Sequence, residues 1–198
     1  MLIDTHSHLN FNAYRNDVDE VVKRSLENNV WMINVGSQYN TSKRAVEIVQ
    51  KYPQALQNFA KQNLGGQGVY AAIGLHPIHL SSGIFKTKID REEIEFKTKE
   101  ENFNYEKYKE LAQNKKVVAI GEIGLDYYYR PKTKKKLEEF KNRQKEVFLK
   151  QLDLAQEMNL PIIFHCRSAH DDLIAILNTK YNIQDTNRRG VIHCFTGT

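Results

Sequence analysis

Along this chain, short apolar runs alternate with longer stretches in which apolar residues recur every three or four positions. The runs are Leu2–Thr5, Val30–Val35, Val69–Leu75, Val117–Ile120, Pro161–Phe164 and Gly190–Ile192, all short enough to be buried strands. Between them, Val18, Val21, Val22 and Leu26 are spaced as on a helix. Thr41–Tyr52 reads as a second helix, capped by Thr41 or Ser42 and stopped by Pro53. Tyr105–Gln113, Lys134–Met158 and Asp171–Tyr181 read as three more, the longest carrying Phe140, Val147, Phe148, Leu152 and Ala155 on one face. Brief apolar strands alternating with helices predict a parallel sheet covered on both faces. Such a sheet is either open and doubly wound or closed into a (β/α) barrel. No Gly-x-Gly-x-x-Gly follows the first run and no Walker-type loop occurs, so nothing supports a dinucleotide fold. Ser81–Asn102 breaks the alternation. Its Lys- and Glu-rich, partly period-2 pattern predicts either a hairpin inserted after the third strand or a solvated, partly ordered insertion.

A length of 198 residues fits one domain with a real core. With 40% hydrophobic and 27% charged residues, the chain is neither a disordered tail nor a fibre. No apolar run approaches the ~20 residues of a bilayer span. The start, MLIDTHSHLN, lacks the basic and apolar regions of a signal peptide. Two cysteines, Cys166 and Cys194, are too few for a disulfide scaffold, and a soluble, cytoplasmic setting is expected. The net charge of +5 is uneven: residues 130–150 carry +6 and the rest −1. Such a patch either attracts a polyanion such as nucleic acid or is a solvated lysine-rich helix.

Candidate chemistry sits where the predicted strands stop. His6 and His8 follow the first strand, His76 the third, Glu122 the fourth, His165 the fifth and His193 the sixth. In parallel α/β proteins that end of the sheet carries the active site. Imidazoles and carboxylates are ligands for zinc- or manganese-like ions. His6 and His8 are two apart on an extended segment, so both point the same way and can share an ion. The two oxygens of Glu122 can bridge a second ion about 3.5–4 Å from the first. Any one of these histidines alone could simply be bonded to a backbone carbonyl; the coincidence of five positions is what points to metal. The pairs His165-Cys166 and His193-Cys194 raise a structural zinc instead, but adjacent strand residues face opposite ways. If the histidines face inward, the cysteines face the helices and act as small apolar residues.

Asp4-Thr5-His6-Ser7-His8, GLHP (Gly74–Pro77), GEIGLD (Gly121–Asp126), FHCR (Phe164–Arg167) and HCFTG (His193–Gly197) together resemble the TatD family of metal-dependent deoxyribonucleases. The likeness runs from residue 2 to 197, apart from Ser81–Asn102 and an extended Lys132–Lys141 region. It implies a TIM-type (β/α)8 barrel with about six of its eight strands present, in a single hydrolase domain with a loop insertion at 81–102. It implies that His6 and His8 bind one divalent ion, that His165 and His193 bind a second, and that Glu122 bridges the two and positions the water. The ions would be zinc, manganese or magnesium. His76, Asp126 and Arg167 would contact substrate. One departure is clear: the family's general-base aspartate on strand eight is expected beyond Thr198, and Asp171 and Asp172 lie on a helix start where acids merely suit the dipole. Six strands leave an open seam, so the chain as written is expected to be inactive, or stable only as an oligomer covering that edge. The activity implied is 3′-5′ exonuclease-like hydrolysis of DNA, single strands favoured, with a metal-activated water and the basic segment steering substrate. Two other readings stay open: hydrolysis of a carboxylic ester or amide, such as a D-aminoacyl-tRNA, and a non-catalytic barrel remnant that binds nucleic acid.

Overall fold

In chain order the elements are β1 (Leu2–Ser7), α1 (Val18–Glu27), β2 (Val30–Val35), α2 (Tyr39–Gln50), β3 (Val69–Ile73), β4 (Gly83–Ile89), β5 (Glu92–Thr98), α3 (Tyr105–Ala112), β6 (Val117–Asp126), α4 (Lys134–Glu157), β7 (Ile162–Arg167), α5 (His170–Ile176) and β8 (Gly190–His193). The computed structural model describes residues 1–52, 68–81, 83–89, 92–181 and 190–195, with backbone alone for 83–89, 92–97 and 181. Pro53, and the Thr196-Gly197 end of the HCFTG motif, lie outside the described residues.

Six strands form one sheet in the order β1-β2-β3-β6-β7-β8, every pair parallel. Parallel neighbours need crossovers, and these carry the helices onto the outside of the sheet. The strand alternation separates two apolar layers. Val35, Ala72, Ala119 and Ile163, with Ile33 against them, form a small inner cluster. Ile73, Ile120, Ile123, Leu125 and Phe164 belong instead to the large outer core, which includes Val22 of α1, Val49 of α2, Tyr108 of α3 and Phe148 of α4. The sheet curls until its two outer strands nearly meet: the rings of His6 on β1 and His193 on β8 stack with centroids 3.5 Å apart. This is a nearly closed TIM-like α/β barrel with six strands.

Helix α4 shows how the polar pattern is used. Its buried residues, Gln144, Val147, Phe148, Gln151, Leu152, Leu154 and Ala155, follow helical spacing, and all lie beyond its first ten residues. The N-terminal turns bury nothing and carry Lys134, Lys135 and Lys136 into solvent. Of the basic run, Arg143, Lys145 and Lys150 pair with Glu100, Asp172 and Glu146.

Several boundaries differ from the sequence pattern. Helix α2 begins at Tyr39 because Thr41 Oγ1 accepts from the backbone N–H of Ser37 and Gln38, capping the helix from inside its first turn. Strands β6 and β7 run on through the GEIGLD and FHCR motifs, pairing as far as Asp126 with Arg167, so Glu122 and His165 lie within strands rather than after them. Strand β3 stops at Ile73, and α5 gives way at Leu177–Tyr181 to a wider π-type turn. Between β3 and α3, β4 and β5 form an antiparallel hairpin from Gly83–Thr98 to Ile89–Glu92.

Candidate metal centre

Strand alternation aims the site residues. On β7, Ile163 belongs to the inner cluster, so His165 and Arg167 share its face, while Phe164 and Cys166 enter the outer core. Cys166 thus behaves as the alternation predicts; Cys194 is exposed. On β8, His193 pairs in register with His165 and faces the same way. Strand β6 needs a further device. Ala119 is inner and Ile120 outer, so strict alternation would send Glu122 outward. The register against β7 shifts between Gly121 and Ile123, absorbing one extra residue. Ile123 and Leu125 then stay in the outer core, and Glu122 and Asp126 both turn inward. Glycines permit the approach. A Cβ on Gly124, whose φ is +149°, would fall 2.0 Å from His165 O, and one on Gly121 would fall 2.5 Å from the Ile163 Cβ.

Glu122 is the hub. Its Oε2 lies 3.3 Å from His6 Nε2, and its Oε1 lies 2.8 Å from His165 Nδ1 and 3.8 Å from His76 Nε2. Two groups of three result among the described residues, His6-Glu122-His193 and His76-Glu122-His165, the ligand atoms of each within 4.8 Å of one another. The predicted residues therefore come together, in a different partition. His193 groups with His6 rather than with His165, His76 enters a group, and His8 stands outside both.

Hydrogen bonds assign distinct roles to the imidazoles. His8 Nδ1 lies 2.9 Å from Val35 O and donates to it, which leaves Nε2 with its lone pair free. His76 does the reverse: its Nδ1 accepts from Ile78 N–H at 3.0 Å, so in the neutral ring Nε2 carries the proton and is a donor. Both ring nitrogens of His6 are buried without a hydrogen-bond partner, the contact with Glu122 being close but poorly aligned. A buried polar atom left unmade costs about 1–3 kcal/mol, and a metal ion would satisfy it. Imidazoles, one shared carboxylate and a second carboxylate nearby form a donor set that fits divalent zinc- or manganese-like ions.

The charges follow from burial and contact. Burial opposes protonation of His165, but Asp126 Oδ2 at 3.1 Å and Glu122 at 2.8 Å outweigh it and push its pKa up to about 9. Burial lowers His76 to about 3, and also lowers His8 and His193. Glu122 is pushed by burial toward its neutral form, yet the imidazoles of His76, His165 and His6 hold its carboxyl well below the usual range. Because His76 is itself neutral, the charge that matters is that on His165. Asp126 is likewise lowered against burial, by His165 and by the Tyr128 N–H.

Four residues that build this site were not singled out in the sequence. Asn34, polar in an otherwise apolar strand, accepts from Leu9 N at 3.1 Å and meets Ser7 Oγ at 3.2 Å, fixing the His6–His8 segment. Asn10 donates to Val35 O, the carbonyl that also holds His8. On α4, Gln144 grips the backbone N–H and carbonyl of Asp126 at 2.8 and 2.9 Å. Gln151 grips those of Leu75, beside His76, at 2.7 and 3.0 Å. Polar residues at core positions of an amphipathic helix were the available signal. Of the predicted substrate contacts, Asp126 sits deeper than the mouth, against His165, while Arg167 lies at the rim with its guanidinium 3.6 Å above the Tyr128 ring.

A family profile described as TatD related DNase matches residues 3–198. An uncharacterized metal-dependent hydrolase of Bacillus subtilis, YabD, is 37% identical over 199 residues, covering 100% of this chain and 62% of the relative. A protein of Erwinia tasmaniensis named 3′-5′ ssDNA/RNA exonuclease TatD is 27% identical, with 100% and 61% covered. The crystal structure of YJJV, a TatD homolog of Escherichia coli, superposes with a TM-score of 0.69 at 27% identity, again covering 100% of this chain and 61% of that one. The chain thus spans about three fifths of the length of these relatives.

Proposed function

This chain belongs to the family of TatD-related DNases, metal-dependent hydrolases, and on that footing we propose that the protein hydrolyses phosphodiester bonds of DNA, working from a 3′ end and favouring single strands. The observation that carries the reading is the position of Glu122, one carboxylate shared by two groups of ligand atoms. His6 and His193 would hold an ion on one side of it, with His8, outside that group, offering its free Nε2 from beside it, and His165 would hold a second on the other. Divalent ions held there would supply Lewis-acid polarisation of the phosphate and acidify water.

The remaining work falls to this chain's own side chains. His76, locked by Ile78 with its proton on Nε2, donates a hydrogen bond to a phosphate oxygen from a buried, uncharged ring. Asp126 orients His165 through Oδ2 while the α4 clamp on its backbone prevents it from drifting. Arg167, with no carboxylate partner among the described residues, offers its charge to the phosphate backbone. Lys134, Lys135 and Lys136, exposed on the free end of α4, attract the polyanion from a distance, so the rate falls as salt rises.

The test is degradation of a single-stranded oligonucleotide labelled at its 5′ end, with manganese or magnesium added. Chelator should stop it, and Glu122→Ala should cost on the order of 10³-fold in rate. Cleavage indifferent to chelator, or retained by the variant, overturns the proposal.

A further inference from the structure

Beyond the ligand cluster, strand β6 ends in a turn held by hydrogen bonds at Tyr127 and Tyr128. Asp126 Oδ1 accepts from Tyr128 N at 2.9 Å, and Tyr127 N donates to Arg167 O at 2.8 Å. The same Asp126 carboxylate holds His165 through Oδ2. One side chain therefore ties the metal cluster to the backbone of Tyr128.

The three residues after Asp126 divide sharply. Tyr127 is 3% exposed, and its hydroxyl donates to Asp172 at 2.9 Å, so it is part of the core. Tyr128 is 55% exposed. Its ring carries the Arg167 guanidinium 3.6 Å above the centroid, and Tyr129 stands edge-on to it at 4.8 Å and 90°. An arginine held over an aromatic face keeps N–H groups at its edge for a phosphate. Arg167 also shares the inner face of β7 with His165, two residues on, a separation of about 6.6 Å at 3.3 Å per strand residue. That is the scale of one nucleotide step. An exposed aromatic ring beside a guanidinium with no carboxylate partner among the described residues is the combination that takes unstacked bases and their phosphates.

We propose that Tyr128 and Arg167 form a nucleotide subsite next to the cluster, the guanidinium taking the phosphate adjacent to the scissile one and the Tyr128 ring stacking the base it carries. The proposal rests on the nuclease reading above and sharpens its substrate class. A base can reach Tyr128 only after leaving a duplex stack, so the subsite selects single strands and frayed ends over paired DNA. Beyond Tyr128 the chain continues through Arg130 and Lys132 to the exposed lysines of α4, which extends the track for the strand.

Binding separates this from catalysis. The whole chain is titrated, by fluorescence anisotropy, into a 5′-fluorescein single-stranded oligonucleotide and into one with an abasic residue next to its 3′ terminal nucleotide. The wild type should prefer the intact strand. Tyr128→Ala should weaken binding about 5- to 150-fold and abolish that preference, while Tyr128→Phe keeps both. Arg167→Met should weaken binding to both strands and reduce the salt slope by about one unit. Unchanged affinity and unchanged preference in Tyr128→Ala overturn the subsite, even where the wild type degrades DNA. A wild type that binds the oligonucleotide and discriminates the abasic strand sustains the subsite whether or not it cleaves, and cleavage that chelator does not stop overturns the nuclease reading alone. A wild type that binds neither strand overturns both.

Discussion

His165 and Glu122 stand on β7 and β6, strands with a neighbour on each side, whereas His6 and His193 stand on β1 and β8, the outer strands of the sheet. The environments differ accordingly. Nine of the ten residues of β6 are buried, while Leu2–Thr5 of β1 and Gly190–Ile192 of β8 are exposed throughout. Behind β6 lies α4, with Gln144 gripping Asp126 by both backbone groups. Across the gap between β1 and β8, the described contact of the two histidines is a ring stack. The interior half of the cluster is thus set by ladder and side-chain hydrogen bonds that need no ion. Its outer half is held to β2 and β7 by their ladders but closes across the gap by ring contact, so an ion there would act as a mechanical tie as well as a chemical group. Side-chain hydrogen bonds join the carboxylates to their neighbours, whereas the histidine pair meets ring to ring across the gap.

The largest expected effect of this difference is in hydrogen exchange. Manganese at about a thousand times its Kd stabilises the bound form by about 4 kcal/mol, or roughly 10³-fold in protection. That gain should appear in the amides of β1 and β8 and be much smaller in β6 and β7. Equal gains in both halves would break the comparison.

A smaller effect is expected from pH. His165, raised to about 9, keeps its proton in the metal-free protein well above its ordinary 6.5, and an ion taking its nitrogen must release that proton. Metal affinity on the His165 side should therefore rise up to tenfold per pH unit between about 7 and 9 and level off above, with proton release visible by calorimetry in buffers of different ionisation enthalpy. The same raised pKa stabilises the metal-free fold fully below 6.5 and ceases to do so as pH rises through about 9. Affinity that is flat over this range would show that His165 is not the proton reservoir.

The smallest effect sharpens the picture of the interior half. Gln144→Leu keeps the apolar volume but leaves the N–H and carbonyl of Asp126 unmade, at a cost of about 1–3 kcal/mol in urea unfolding. Ser7→Ala, which removes a hydroxyl beside Ile33 O and Asn34 on the edge-strand side, should cost about 1 kcal/mol or less. Reversal of that order would place the rigid half on the other side of the cluster.

Much of this architecture is readable from residue pattern alone. Apolar runs broken by helical stretches require parallel strands with helices outside, and alternation on β7 separates His165 from Cys166 without any coordinates. The same rule fails at Glu122, because the extra residue at Gly121–Glu122 resets the alternation and a bulge leaves no period of its own in a sequence. Nor can spacing tell His8 from His76. What makes one a lone-pair donor and the other an N–H donor is which backbone group, Val35 O or Ile78 N–H, each ring meets.

By itself the sequence determined the identity of the groups and the end of the sheet at which they gather, because strand and helix periods are local properties of the chain. Tertiary structure decided which histidines share Glu122, which nitrogen each presents, and which strand ends α4 clamps. Gln151 and Leu75, 76 residues apart, meet because α4 packs on the sheet, and only the curl of that sheet brings the rings of His6 and His193, on its opposite edges, into contact.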